Sequence, residues 1–250
     1  MPENLPPPLN LSNPKAVVTE IFDDDNWVKE EFTKHCSNEL LKFAEVVAES
    51  FKSYLKIQAL VQSDEQALYV AAFIHGILDD LITSTKLLVT GKMIPSGNLM
   101  RQALEGVAVA ILCSYRGLLL IPHGDRKQKA SIPIKYWERV KDNDKRVDSN
   151  KAFAHLVMNR VTLQVNQDAI DELKKAVKIY HSFSHPGTMS IVLRVAETGD
   201  EVKQFIGGTF NETMLPMYKS EIEQRTELCR VLPNLIELLI TQLNAAPPVQ

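Results

Sequence analysis

Apolar residues recur at three- and four-residue spacing over about 27–61, at Phe32, Leu40, Phe43, Val47, Phe51, Leu55 and Leu60. That period predicts a long amphipathic helix. It opens at Asn26, where the aspartates at 23–25 offer an N-cap and a charge suited to a helix start. Residues 63–66, Ser-Asp-Glu-Gln, read as a capping box for a second helix, with Ser63 as cap and Gln66 three residues on. Gly91 is placed to end that helix as a left-handed cap, and 94–98, Ile-Pro-Ser-Gly-Asn, read as a turn. A third helix over about 99–119 is apolar nearly all round, which predicts a central position.

The pattern then turns polar. Residues 125–151 hold nine Lys/Arg and five Asp/Glu and read as a linker with a solvated basic face. Helical spacing resumes over 149–164 and 167–184, the second helix capped by Asn166. After Pro186 the period shortens, and β-branched runs on either side of Glu-Thr-Gly-Asp-Glu predict a hairpin of two short strands. A last helix spans about 211–243, with Pro216 in its first turns and Pro233 placed to kink or divide it. The expected fold is all-α: a bundle of long helices with a small β-hairpin excursion near 189–207. A disordered Pro-rich arm is expected over 1–22, one helical-bundle domain over 23–244, and a disordered tail over 245–250.

Composition narrows the function classes. A chain of 250 residues with 45% hydrophobic residues, 24% charged residues and only ten glycines is globular and helix-leaning. A net charge of −3 gives no global basic field, so nucleic acid is not an expected partner. Cys36, Cys113 and Cys229 are far apart in apolar surroundings and read as free thiols of a reducing compartment. The N-terminal segment has five prolines and an acid and lacks a signal-like apolar core, and the apolar run 107–113 is too short to span a bilayer. The expectation is a cytoplasmic protein without a membrane partner.

Three pairs could carry chemistry. Arg101 and Glu105 lie one turn apart near the start of the most apolar helix, where ions are costly without good partners. Their order, Arg before Glu, is the less favourable one along a helix. His75 and Asp79 share one side of the second helix and could share a proton or a metal. His181 and His185 are four apart where a helix ends before Pro186-Gly187, a spacing that could offer two zinc ligands, or that could place an imidazolium on the last carbonyls. No G-x-S-x-G, phosphate loop, G-x-G-x-x-G, Cys-x-x-Cys or Glu-x-x-His motif occurs. No catalytic residue is therefore named, and no metal or cofactor is expected.

The run Leu99-Met-Arg101-Gln-Ala-Leu-Glu105, followed later by Tyr180-His-Ser182-Phe-Ser-His185-Pro186-Gly, resembles a set of uncharacterised, mainly bacterial, all-helical proteins. Their third helix reads Leu-x-Arg-x-x-x-Glu, and a later helix ends in Ser-x-x-x-His-Pro. The resemblance covers about 64–190, with the serine-to-histidine spacing one residue shorter here. That set is similar in architecture to the HEPN superfamily of helical bundles, many of which serve in toxin–antitoxin and phage defence. HEPN ribonucleases use an Arg followed, after four to six residues, by a His at a dimer seam. Around His185 the nearest upstream basic side chain is Lys178, so the likeness implies the scaffold rather than that catalytic pair. It implies an interaction or ligand-binding protein of bacterial stress or defence type, and a homodimer through an exposed apolar helix face is expected beside it. In that reading Arg101 holds a small anionic ligand, Glu105 orients it and His185 donates from the facing helix end. A His- or metal-dependent hydrolase, a HEPN-like ribonuclease included, and a purely structural scaffold are the alternatives.

Overall fold

The computed structural model of the chain describes residues 12–123, 130–184, 187, 188, 191, 193, 195–198, 201–204 and 208–245. Along them run α1 (Pro14–Phe22), α2 (Asn26–Gln58), α3 (Glu65–Val89), α4 (Met93–Ser114), β1 (Leu119–Pro122), β2 (Ser131–Ile134), α5 (Tyr136–Lys141), α6 (Ser149–Asn159), α7 (Gln167–Ser184), β3 (Val195–Thr198), β4 (Glu201–Gln204) and α8 (Leu215–Asn244). This is the expected helical bundle. Helix α3 packs on α2, α4 and α8, while the other side of α4 takes α6 and α7. The 107–114 stretch of α4 is buried throughout, which makes it the central helix its composition predicted.

By length and composition α3 is also sufficient to cross a membrane, with a mean hydropathy of 1.3 over its best 18-residue window. The short run 107–113 had hidden that. In the bundle its stripe of Ala67, Val70, Ile74, Leu78, Leu81 and Leu88 is core.

Several helix ends depart from the sequence reading, each for a local reason. Asp64, not Ser63, caps α3, accepting from the amides of Gln66 (2.9 Å) and Ala67 (3.2 Å). Gln66 is free to reach across, and its amide donates to the carbonyls of Cys113 and Tyr115 at the end of α4. Asp25 stands at the start of α2 with φ of 48° and does not cap it with its side chain. Its buried carboxylate instead receives Lys92 Nζ at 2.5 Å. Gly91 closes α3 with φ of 74°, its amide donating to Leu88 (2.9 Å) and that of Lys92 to Leu87 (2.8 Å). A Cβ at Gly91 would lie 2.3 Å from the Thr209 backbone, and one at Gly208 1.7 Å from the Thr90 carbonyl. Two glycines thus let one backbone lie directly on another.

The turn expected at 94–98 is helix. Pro95 falls in the first turn of α4, where its missing amide costs nothing. Gly97 is there for space, since a Cβ would sit 2.6 Å from the Phe183 ring of α7. The arm expected over 1–22 carries α1, opened by Asn13 Oδ1 accepting from Lys15 N and by Pro14. It buries none of its residues, and Val18, Ile21 and Phe22 are exposed.

The linker expected over 125–151 holds structure too. β1 and β2 pair antiparallel, with Leu120 opposite Pro133 and Ile121 opposite Ile132. On the outer edge of β1, Asn159 of α6 accepts from Leu120 N and donates to Leu120 O, both at 2.8 Å. Leu120 therefore points its backbone groups away from β2, and Pro133 opposite it stands where no ladder amide is needed. The expected excursion near 189–207 contains β3 and β4, paired with Thr198 opposite Glu201.

Pro233 does not divide α8. Without a proline amide the carbonyl of Cys229, four residues back, loses its helical donor. The buried Ser50 hydroxyl of α2 lies 2.9 Å from it and shares its one proton between that carbonyl and the Val46 carbonyl of its own helix, at 2.8 Å.

Candidate functional site

Arg101 and Glu105 sit where α4 passes the start of α6. Arg101 Nε donates to Glu105 Oε1 at 2.8 Å, and Ser149 Oγ, in the first turn of α6, donates to Glu105 Oε2 at 2.8 Å. Both Glu105 oxygens are thereby engaged, and the positive end of α6 adds to their stabilisation. The pair is partly buried, with Arg101 at 22% and Glu105 at 13% side-chain exposure, so it lies at a rim rather than in the core.

Glu105 also lines a cleft of about 170 Å³ between α3 and α4. Ala72, Phe73, Ile77 and Val109 form its apolar walls, Gly76 and Gly106 sit among them, and Asp80, Gln102, Glu105 and Ser149 supply polar atoms. Gly106 lets Ile77 approach to within 3.0 Å of where its Cβ would be, while a Cβ on Gly76 would meet nothing within 4 Å.

Asp80 is the unbalanced group of this cleft. Its nearest polar partner is the Gln102 amide at 3.5 Å, the outer limit of a hydrogen bond. Among the described residues no Lys, Arg or His forms an ion pair with it. Partial burial pushes its carboxyl up to about 6; the Asp79 charge beside it works in the same direction, and the Gln102 contact opposes it.

The other expected residues are placed differently. His75 and Asp79 are exposed on α3, and it is their neighbours Gly76 and Asp80 that line the cleft. His75 lies against the Tyr54 ring, with centroids 5.7 Å apart. His181 is exposed on α7, whose Tyr180 and Phe183 turn inward. His185 and Pro186 lie outside the described residues, so the facing donor expected there has no described position. Arg101 is not among the residues that line the cleft, whose charged lining groups are both carboxylates. Among the described residues no group of three or more His, Cys, Asp or Glu side chains is arranged to hold a metal ion.

A second polar cluster escaped the sequence reading. Arg225 of α8 is fully buried. Its Nε donates to Ser84 Oγ (3.0 Å), Nη2 to Ser96 Oγ (2.7 Å), and Nη1 to both the carbonyl (2.6 Å) and Oε2 (2.7 Å) of Glu221. The Tyr180 hydroxyl joins at 3.0 Å from Glu221 Oε2. Four helices, α3, α4, α7 and α8, meet in this network, and all three guanidinium nitrogens are used inside it. Its signal was present: Tyr218, Ile222, Arg225, Cys229, Leu232 and Ile236 share one core stripe, with Arg225 at an apolar position.

The remaining titratable groups point to structure. Burial raises the thiols of Cys36, Cys113 and Cys229, the last to about 12, so none is poised as a nucleophile. In the basic segment, Lys135, Lys141, Arg146 and Lys151 pair with Glu138, Glu65, Asp144 and Asp148. That leaves little of a phosphate-binding strip among the described residues.

Comparison of the chain with protein-family models, with curated proteins and with solved structures finds no match in any of the three.

Proposed function

We propose that this is a ligand-binding protein whose site is the cleft between α3 and α4. The observation that supports this is the cleft itself: apolar walls, a few convergent polar groups, and in Asp80 a carboxylate without a counter-ion among the described residues. The Arg101–Glu105 pair enters this reading as the support of one wall and not as the ligand's anchor. A bacterial stress or defence setting, as the sequence resemblance implies, and the cytoplasmic location expected from the free cysteines are compatible with such a role. The exposed apolar side of α1 is the surface a homodimer would use.

Filling the cleft tests the proposal. A Cβ at Gly76 meets nothing within 4 Å, so Gly76→Leu adds a side chain to the lining of the cleft. A fragment screen by ligand-observed NMR should give binders of the wild-type chain that Gly76→Leu abolishes at unchanged helix content. A wild-type chain that binds no fragment, or a variant that binds them all, would leave the scaffold reading in its place.

An acid–base enzyme is a second reading, favoured by the position of Asp80 near 6, within the range useful to a general acid or base at neutral pH. It requires turnover of a bound compound that Asp80→Asn removes.

A further inference from the structure

We infer that the cleft selects a small organic cation, a primary ammonium or amidinium head on an apolar body of about the size of benzene. This rests on the cleft being a ligand site and names the chemistry it would accept. Its volume of about 170 Å³ is close to that of a protein cavity, roughly 150 Å³, known to admit benzene. The walls offered to such a body are Phe73, Ile77 and Val109, which contribute no polar side-chain atom.

The charges decide the head group. The titratable groups lining the cleft are Asp80 from α3 and Glu105 from α4; α6 contributes Ser149, and no Lys, Arg or His takes part. The two acids differ in what they still need. Glu105 is already served on both oxygens, by Arg101 and by Ser149. Among the described residues Asp80 has only the long Gln102 contact, and it stands beside the like charge of Asp79. A cation at Asp80 would receive a charge-assisted hydrogen bond, the stronger kind. It would also relieve the repulsion from Asp79, while Gln102 can turn its amide oxygen to accept a second proton of the head. An anion would meet two carboxylates. A neutral hydroxyl could donate one hydrogen bond to Asp80 but would leave its charge, and the repulsion from Asp79, without a counter-ion.

The experiment uses the whole chain with three probes of one shape: benzylamine, benzyl alcohol and benzoate, titrated by calorimetry or NMR at pH 7.5. Benzylamine is expected to bind at least about tenfold more tightly than benzyl alcohol, because both can donate a hydrogen bond to Asp80 but only the ammonium adds an opposite charge. Benzoate is expected not to bind. Asp80→Asn should bring the amine down to the alcohol's affinity, and Gly76→Leu should abolish binding of both. Because Asp80 must be ionised, the amine's advantage should shrink as pH falls through about 6. Equal binding of alcohol and amine, binding of benzoate, or an amine preference that survives Asp80→Asn overturns the inference and leaves the ligand-site reading standing. Failure of all three probes, together with a fragment screen that finds no binder, overturns both.

Discussion

Among the described residues, Glu221–Arg225 on α8 and Arg101–Glu105 on α4 are the two Arg–Glu ion pairs four residues apart, and they are built in opposite ways. Glu221 precedes Arg225 on α8, the favourable order, and the pair is enclosed by four helices with each guanidinium nitrogen bonded to protein. Arg101 precedes Glu105 on α4, the unfavourable order, and the pair lies at a rim where only Nε is given to the glutamate. A closed network fixes how α3, α4, α7 and α8 sit together and has nothing left to offer a ligand. An open one keeps a carboxylate in place beside a cleft whose other acid, Asp80, is unmatched. The proposed site is thus distinguished by a carboxylate whose partners run out among the described residues, and not by partial burial alone.

The largest consequence of this contrast should appear on truncating the enclosed arginine. Arg225→Ala leaves Glu221 buried beside two serines that have lost their partner, and should cost about 3–5 kcal/mol of stability. For a chain of this length that is a fall in Tm of roughly 10 °C. A loss below about 1 kcal/mol in urea unfolding would show that the network does not hold the helices together.

Asp80→Asn should act in the other direction and only over part of the pH range. The folded chain raises this carboxyl from the ordinary 3.8 to about 6, so folding disfavours its charged form. The group's contribution to stability is therefore full below 3.8 and is lost as pH rises through about 6. A shift of two pH units corresponds to roughly 3 kcal/mol, which partial exposure reduces to about 1–2. The variant should thus be about 1–2 kcal/mol more stable than wild type at pH 8 and no different at about pH 3, below the unfolded value. Unfolding curves at the two pH values check it; an equal effect at both would detach the result from ionisation.

The smallest effect belongs to the rim pair. Arg101→Ala removes one ligand of Glu105 but leaves Ser149 and the start of α6. It should cost no more than about 1 kcal/mol and leave the circular dichroism spectrum unchanged. A collapse comparable to that of Arg225→Ala would erase the distinction between the two pairs.

Most of the bundle was legible from spacing, because α2, α3, α7 and α8 carry an apolar stripe against a polar face. The errors fall where tertiary contact overrode a local signal. Pro95 and Gly97 look like a turn, yet the proline fits a first helical turn and the glycine is needed by Phe183. Pro133 and the charges around it look like a linker, yet the proline faces away from the ladder and Asn159 supports the far edge. The site was half legible. Arg101 and Glu105 were found because ions in an apolar helix stand out, and they do meet. Asp80 was passed over for Asp79, since one residue of rotation on a helix decides which carboxylate faces the groove. Arg225 stayed hidden because its partners come from helices far apart in sequence.

The pairing of Ser50 with the Cys229 carbonyl carries a consequence for how the chain comes together. A proline inside a helix leaves a vacancy that α8 cannot fill from its own residues, and the group that fills it lies on the second helix of the chain. The Cys229 carbonyl of the last helix finds a protein donor only on docking against one of the first, so that helix is completed by the other end of the sequence. Cut between them, the C-terminal fragment would carry a helix with a gap in its middle, waiting for a hydroxyl that arrives from elsewhere.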